Sequence, residues 1–156
     1  PTSEQLAEIA VSTARVVRLF GFDPKVAFVS HSTFGQPLTS RTKHIRKAVD
    51  ILKEKEVDFE FDGDMQPDVA LNSEYEELYP FSKIVGKANI LIMPGQHSAA
   101  ISYKMMKTLG DTKVIGPLLI GLGLPVEIAP LRTSTSEIIN LASIAAYSAD
   151  VINYKK

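Results

Sequence analysis

The sequence predicts an α/β protein: a layered, mostly parallel sheet with helices on both faces. Short β-branched apolar runs alternate with segments of helical periodicity along all 156 residues, the pattern of strands joined by crossover helices. The sharpest instance is residues 86–103, GKANILIMPGQHSAAISY. There a continuous apolar run ends at Pro94-Gly95 and a helical pattern begins at once, giving a strand, a tight turn and a helix start. No internal repeat, low-complexity tract or long linker interrupts the alternation, so one compact domain is expected.

Thr2 or Ser3 can cap a first helix with Glu4 and Gln5 in its opening turn. Leu6, Ile9, Ala10, Thr13, Val16, Val17 and Phe20 form its apolar stripe, and Gly21 ends it. Residues 26–30 read as a short β-branched strand followed by a polar loop, HSTFGQP. Residues 40–56 form an amphipathic helix with Ile45, Val49 and Leu52 inward. Residues 57–61 alternate as a strand, and the acidic segment DGDMQPD then reads as a turn that caps a helix over 69–78. YPFSKIVGK connects to the apolar run at 88–93, bounded by Gly86 and Pro94 and too short for a free helix, hence a buried strand. The helix after His97 carries Ala100, Ile101, Met105, Met106 and Leu109 and stops at Gly110. Beyond it, 114–122 is again apolar and 126–129 is expected to be a short strand. Residues 134–151 form a closing helix expected to bury Ile138, Ile139, Leu141, Ala142, Ala145 and Ala146.

Composition narrows the function classes. With 45% hydrophobic residues and a mean hydropathy near zero, a chain of this length can bury a substantial core. No apolar run approaches the roughly 18 residues of a membrane span, and PTSEQLAEIA lacks the basic-then-apolar layout of a signal peptide. A cytoplasmic protein is expected. Cysteine is absent, which excludes disulfides, thiolate metal sites and a cysteine nucleophile. A net charge of -1 gives no electrostatic reason to expect nucleic acid or a membrane as partner, so any anion site must be local. The chain opens on Pro1, as expected of a segment of a longer protein and equally of Met removal before Pro.

Chemistry-bearing residues are few. His31, His44 and His97 show no ligand spacing, and no metal site is expected. Asp62, Asp64 and Asp68 resemble part of a calcium loop, but Pro67 and the missing distal Glu break that pattern. No Walker lysine loop occurs, and Gly116, Gly121 and Gly123 do not make a dinucleotide fingerprint. His31 and His97 follow strands, where loops carry ligand contacts, yet each also suits a plain surface turn. The segment PLRTSTSEIIN, 130–140, is richer: Arg132, four hydroxyls and Glu137 stand at a helix start. That set suits a phosphate or pyrophosphate, and it equally suits ordinary helix capping.

Six blocks together carry a family resemblance: HSTFG (31–35), DGDMQPDVAL (62–71), GKANILIMP (86–94), ISYKMMKTLG (101–110), IGPLLIGLGLPV (115–126) and SEIINLASIAA (136–146). In this order, over nearly the whole chain, they resemble the second half of the phosphate acetyltransferase family. The resemblance implies part of a two-domain α/β subunit with a cleft for coenzyme A and acetyl phosphate, and a dimer. Residues 1–129 would hold mostly the second subdomain, and 130–156 the closing helix that returns to the first.

The family pattern has a Ser-Arg pair before the closing helix and an Asp at its start, which together bind and activate the thiol of coenzyme A. Here the aligned residues are Pro130, Leu131 and Glu137; sliding the register by one brings Arg132 over the arginine but leaves Leu131 in place of the serine. No catalytic residue is therefore expected in this chain. The same departure is similar to the carboxy-terminal domain of hybrid malic enzymes, and PTSEQLAEIAV, VAFVSHSTFG and ILIMPGQHSAAISY resemble that branch. It implies a regulatory and assembly domain that binds acetyl-CoA as an effector. NAD(P) and a divalent metal would be confined to the malic catalytic domain of the same parent chain, and the assembly would be a homodimer or a higher oligomer. The expected ligand-binding residues are Arg132, Thr133, Ser134, Ser136 and Glu137, Ser30, His31 and Ser32, and Gly95, His97, Tyr103 and Lys104.

Overall fold

The computed structural model describes residues 1–110 and 113–154. The order of elements is α1 (Ser3–Leu19), β1 (Lys25–Val29), α2 (Ser40–Glu54), β2 (Glu60–Met65), α3 (Pro67–Leu71), a 3-10 turn (Ser73–Glu76), β3 (Ile90–Ile92), α4 (Gln96–Leu109) and α5 (Thr135–Tyr154). The chain divides into two compact units, Pro1–Tyr103 and Lys104–Lys156, with the boundary inside α4.

The first unit holds a three-stranded parallel sheet in the order β2-β1-β3. β1 is central, so its residues are buried on both sides and alternate between two cores. Val26 and Phe28 face α1 and α2, where they meet Leu6, Ala10, Ile45, Val49, Leu52, Phe61, Ile90 and Ile92. Ala27 and Val29 face α3 and the connector, against Met65, Ala70, Ile84 and Ala88. The expected helices on both faces of a parallel sheet are thus present. Phe28, Leu6 and Leu52 are buried almost completely, each contributing about 1.5–3 kcal/mol of transfer free energy. Asn89 fixes the register of β3: its Oδ1 accepts from the amide of Lys25 at 2.8 Å and its Nδ2 donates to the carbonyl of Asp23 at 2.7 Å.

Both long helices of this unit open on threonine capping boxes. Thr2 Oγ1 accepts from the amide of Gln5, whose side chain accepts in turn from the amide of Thr2. Thr39 and Thr42 repeat the arrangement for α2. The α2 stripe is as expected, with Ile45, Val49 and Leu52 buried together with Ala48. The α1 stripe is rotated from the expectation: Leu6, Ala7, Ala10 and Ala14 are buried, whereas Ile9 and Phe20 are exposed. The alanine lane allows the helix backbone to approach its neighbours closely, and that contact sets the rotation rather than the largest side chains.

Three further expectations are corrected. The second strand is Glu60–Met65, so the DGDM expected as a turn is the interior of β2, because its acids find distant partners. Asp62 accepts from the amides of Gly63 and Lys83, each at 2.8 Å, and Asp64 accepts from Ser32 Oγ. The helix expected over 69–78 is α3 followed by a 3-10 turn, divided at Asn72, whose extended backbone ends α3 and whose side chain caps the turn. Residues 126–129 make no strand; a single antiparallel bridge joins Leu118 and Glu127, and neighbouring Gly121, Gly123 and Pro125 supply no continuous run for a ladder.

In the second unit α5 begins with its own capping box. Ser134 Oγ accepts from the amide of Glu137 at 3.3 Å, and the Glu137 carboxylate accepts from the amide of Ser134 at 2.8 Å. Of the residues expected to be buried along α5, only Leu141 is; Ile138, Ile139, Ala142 and Ala146 are exposed, and Ala145 is half-buried. The apolar residues of α4, including Ile101, Met105, Met106 and Leu109, are exposed as well. The amphipathic periodicity is real, but these side chains are exposed among the described residues.

Candidate functional site

Parallel sheets carry their ligand sites at the carboxyl ends of the strands, and a large cavity of the first unit lies there. It measures about 690 Å3 and is lined by the residues that leave β1 (Val29, Ser30, His31), those that leave β3 (Met93, Pro94, Gly95), and the first turns of α2 and α4. Crossover helices starting from the same edge bring Ser40, Arg41 and His44 from α2 together with Ser98 and Ser102 from α4. A volume in this range suits a small-molecule ligand. No carboxylate among the described residues lines it.

Three of the expected residues, Ser30, His31 and Gly95, meet at this cavity. Ser32 does not: it is fully buried and donates to Asp64, with Arg46 Nη1 3.9 Å from the other carboxylate oxygen. That trio ties the loop after β1 to β2 and leaves the hydroxyl of Ser32 engaged within the fold. His97 is exposed on the first turn of α4, Tyr103 is half-buried and Lys104 exposed farther along it, and none of the three lines the cavity. His44, which only the wall of the cavity brings into view, is held by Ser3 Oγ at Nδ1 and by the carbonyl of Pro1 at Nε2, both at 2.9 Å. Sequence reasoning did not single out Arg41. The available signal was a cation in the first turn of a helix, where the dipole disfavours it, with no acid beside it.

The second unit has its own smaller cavity of about 100 Å3, lined among others by Lys107, Arg132, Thr133, Glu137 and Asn140. Lys107 Nζ lies 3.0 Å from Glu137 Oε1. The amide of Ser134, then Lys107, then the hydroxyl of Ser134 lower the Glu137 carboxyl from 4.5 to about 2. Thr133 Oγ1 donates to the carbonyl of Pro130 at 2.5 Å. Ser134 and Glu137 are therefore engaged in closing the helix end, and Ser136 is exposed without lining the cavity. Arg132 is exposed and makes no hydrogen bond or ion pair among the described residues. Leu131 projects fully into solvent. Among the described residues no three His, Asp or Glu side chains converge as a metal site would need, and no helix is long and apolar enough to cross a membrane.

A sheet edge of this kind, backed by these helices, is the architecture of the phosphotransacetylases. A phosphotransacetylase from Streptococcus pyogenes superposes with a TM-score of 0.89 at 37% identity, over 96% of this chain and 46% of that one. The EutD phosphotransacetylase from Staphylococcus aureus gives 0.86 at 33% identity, over 96% and 47%. Residues 1–146 match the phosphate acetyl/butaryl transferase family, and this chain belongs to it. Relatives of two kinds are similar to this chain along most of its length. The NADP-dependent malic enzyme of Rhizobium meliloti (strain 1021) is 50% identical over 149 residues, which are 96% of this chain and 20% of that protein. The phosphate acetyltransferase of Bacillus subtilis (strain 168) is 37% identical over 150 residues, 96% and 46% respectively. The chain thus spans about a fifth of the length of the malic enzymes it matches and under half that of the transferases. The resemblance of the six sequence blocks to phosphate acetyltransferases, and that of PTSEQLAEIAV, VAFVSHSTFG and ILIMPGQHSAAISY to malic enzymes, are both borne out.

Proposed function

We propose that this chain is the terminal part of the regulatory and assembly domain of a cytoplasmic, NAD(P)-dependent malic enzyme, that it binds acetyl-CoA as an allosteric effector, and that it carries out no acetyl transfer itself. The observation that carries this reading is the make-up of the segment before α5. Where the transferase pattern has a hydroxyl and a guanidinium, this chain has Pro130 and a solvent-projecting Leu131, neither of which can hydrogen-bond a thiol or hold an anion. The remaining acid, Glu137, is lowered to about 2 by Ser134 and Lys107. A thiol with an ordinary value of roughly 8.5 needs a base of far closer pKa for effective proton transfer. A ligand can still be held: beside Thr133, Arg132 offers a guanidinium with no partner among the described residues. Malate chemistry, NAD(P) and the divalent metal belong, in this proposal, to a catalytic portion outside this chain. The effector acts by binding two domain arrangements unequally, a coupling typically of about 1–3 kcal/mol.

Two measurements on the full-length protein test the proposal. In a thiol-release assay with acetyl phosphate and coenzyme A, turnover is expected at the buffer level; clear turnover would overturn the regulatory reading in favour of an active phosphate acetyltransferase. In a malate oxidation assay, Arg132→Ala is expected to raise the acetyl-CoA concentration for half-maximal effect by about tenfold, the scale of a lost charge-assisted hydrogen bond, while basal turnover stays unchanged. Lower basal turnover with an intact acetyl-CoA response would remove Arg132 from the effector site.

A further inference from the structure

We propose that residues 82–86 form a strap that opens as a unit while the rest of the fold stays closed. Latched, it holds the loop after β1 in a strained conformation, and with it the wall that Ser30 and His31 give to the large cavity. The inference concerns the movement of that wall and does not rest on what the cavity holds.

The strap has no main-chain ladder. Among the described residues, the amides of Lys83, Ile84, Val85 and Gly86 all donate to side chains: to Asp62 Oδ2 at 2.8 Å, to Ser82 Oγ at 3.3 Å, to Glu60 Oε2 at 2.9 Å and to Glu76 Oε1. Three of the four acceptors are carboxylates, so most of the hold is charge-assisted. Lys25 completes the latch: its Nζ donates to the carbonyl of Val85 and lies 3.6 Å from Glu60 Oε2. Ile84 is buried in the second core, while Lys83 and Val85 on either side of it are exposed. A segment tied down by side chains and one apolar plug, outside helix and sheet, can leave while the parallel sheet stays intact.

A second observation links the strap to the cavity loop. Phe34 has φ +48°, in the left-handed region where a bulky residue is strained. Its amide donates to the carbonyl of Asp64 at 2.6 Å, and its ring centroid lies 4.8 Å from that of Phe81 and 5.4 Å from that of Tyr79. Strain of this kind persists only where the surroundings over-determine it, and two of the groups that do so here are the rings just before the strap. The same loop is tied to the end of β2 by the Gln66 side chain, whose Nε2 donates to the carbonyl of His31 at 3.1 Å. When the strap lifts, the rings leave Phe34, its backbone relaxes, and the segment that carries Ser30 and His31 shifts.

Hydrogen exchange of the full-length protein, read by mass spectrometry, tests both parts. Exchange over 82–86 is expected to be faster than in β1. Glu60→Ala removes the acceptor of the Val85 amide at a half-buried position. It is expected to speed exchange over 82–86 about tenfold, to speed the loop amides of Thr33, Phe34 and Gln36 as well, and to leave β1 unchanged. Phe81→Ala, at a position 63% exposed, is expected to speed the loop about threefold or more without speeding the strap. Adding Glu60→Ala to Phe81→Ala should then speed the strap alone. A strap rate that Glu60→Ala leaves unchanged overturns the latch. Equal acceleration in β1 overturns the separate unit, because the opening is then global. A loop rate that Glu60→Ala leaves unchanged, or raises by the same factor with and without the Phe81 ring, overturns the coupling.

Discussion

Asp64 is wholly buried, accepts a hydrogen bond from Ser32 at one oxygen and none at the other, and has the Arg46 guanidinium 3.9 Å away. A buried carboxylate in this state depends on each remaining donor. Ser32→Ala is therefore expected to lower unfolding free energy by about 1–3 kcal/mol, read from chemical denaturation; a change below about 0.5 kcal/mol would mean that Arg46 or solvent takes over the vacated position. Next to it, Gly63 has φ +148°, and a Cβ there would stand 2.7 Å from the carbonyl oxygen of Phe28 and 2.8 Å from its Cβ. Neither atom belongs to a flexible side-chain end. Gly63→Ala combines overpacking with backbone strain and is expected to cost at least about 2 kcal/mol, visible as a fall in melting temperature. None of this was legible from residues alone: Asp-Gly-Asp has the composition of a turn, and its partners stand 21 and 32 positions away, at Lys83 and Ser32.

Among the elements, those whose signals are local were readable and those whose signals are distant were not. The cap Thr2, the inward face of α2 and the passage from β3 through Pro94-Gly95 into α4 all follow from neighbouring residues. The limits of β2, the rotation of α1 and the missing strand at 126–129 depend on what packs alongside. The candidate site divides the same way. Ser30, His31 and Gly95 follow their strands and were legible, whereas Arg41 enters from the next helix and was not. At the start of α5 two readings stood open, and the hydrogen bonds of Ser134 and Glu137 form a capping box. That box is pH-dependent with a definite sign. Because the folded Glu137 carboxyl is lowered from 4.5 to about 2, its contribution is complete above about pH 4.5 and is lost as pH falls through about 2. Carbon-13 NMR of the Glu137 carboxyl should give a midpoint near that value, moving up toward 4.5 in Ser134→Ala. An unshifted midpoint in the parent protein would show that the cap does not persist in solution.

At the scale of the molecule, the first unit has cores on both faces of its sheet, while the helices beyond it leave large apolar side chains uncovered. On α4, Met105, Met106 and Leu109 are more than half exposed, and on α5 Ile138 and Ile139 are similarly bare. Large apolar side chains exposed along one helix face mark a contact rather than a solvent face. The transferase relative is about twice as long as this chain, so a face can be covered either by further parts of the same subunit or by a second subunit, and the two covers respond differently to a buried charge. If α5 forms the homodimer contact expected from the sequence, Ile139→Lys places an unpaired ammonium in a desolvated interface. The full-length protein should then sediment at half its mass at micromolar concentration, with its melting transition lower and dependent on concentration. If the face packs within the subunit, the mass stays that of the parent, the melting temperature falls independently of concentration, and α5 is removed from the dimer contact. Met105→Lys applies the same test to α4, so that each helix is assigned by its own result.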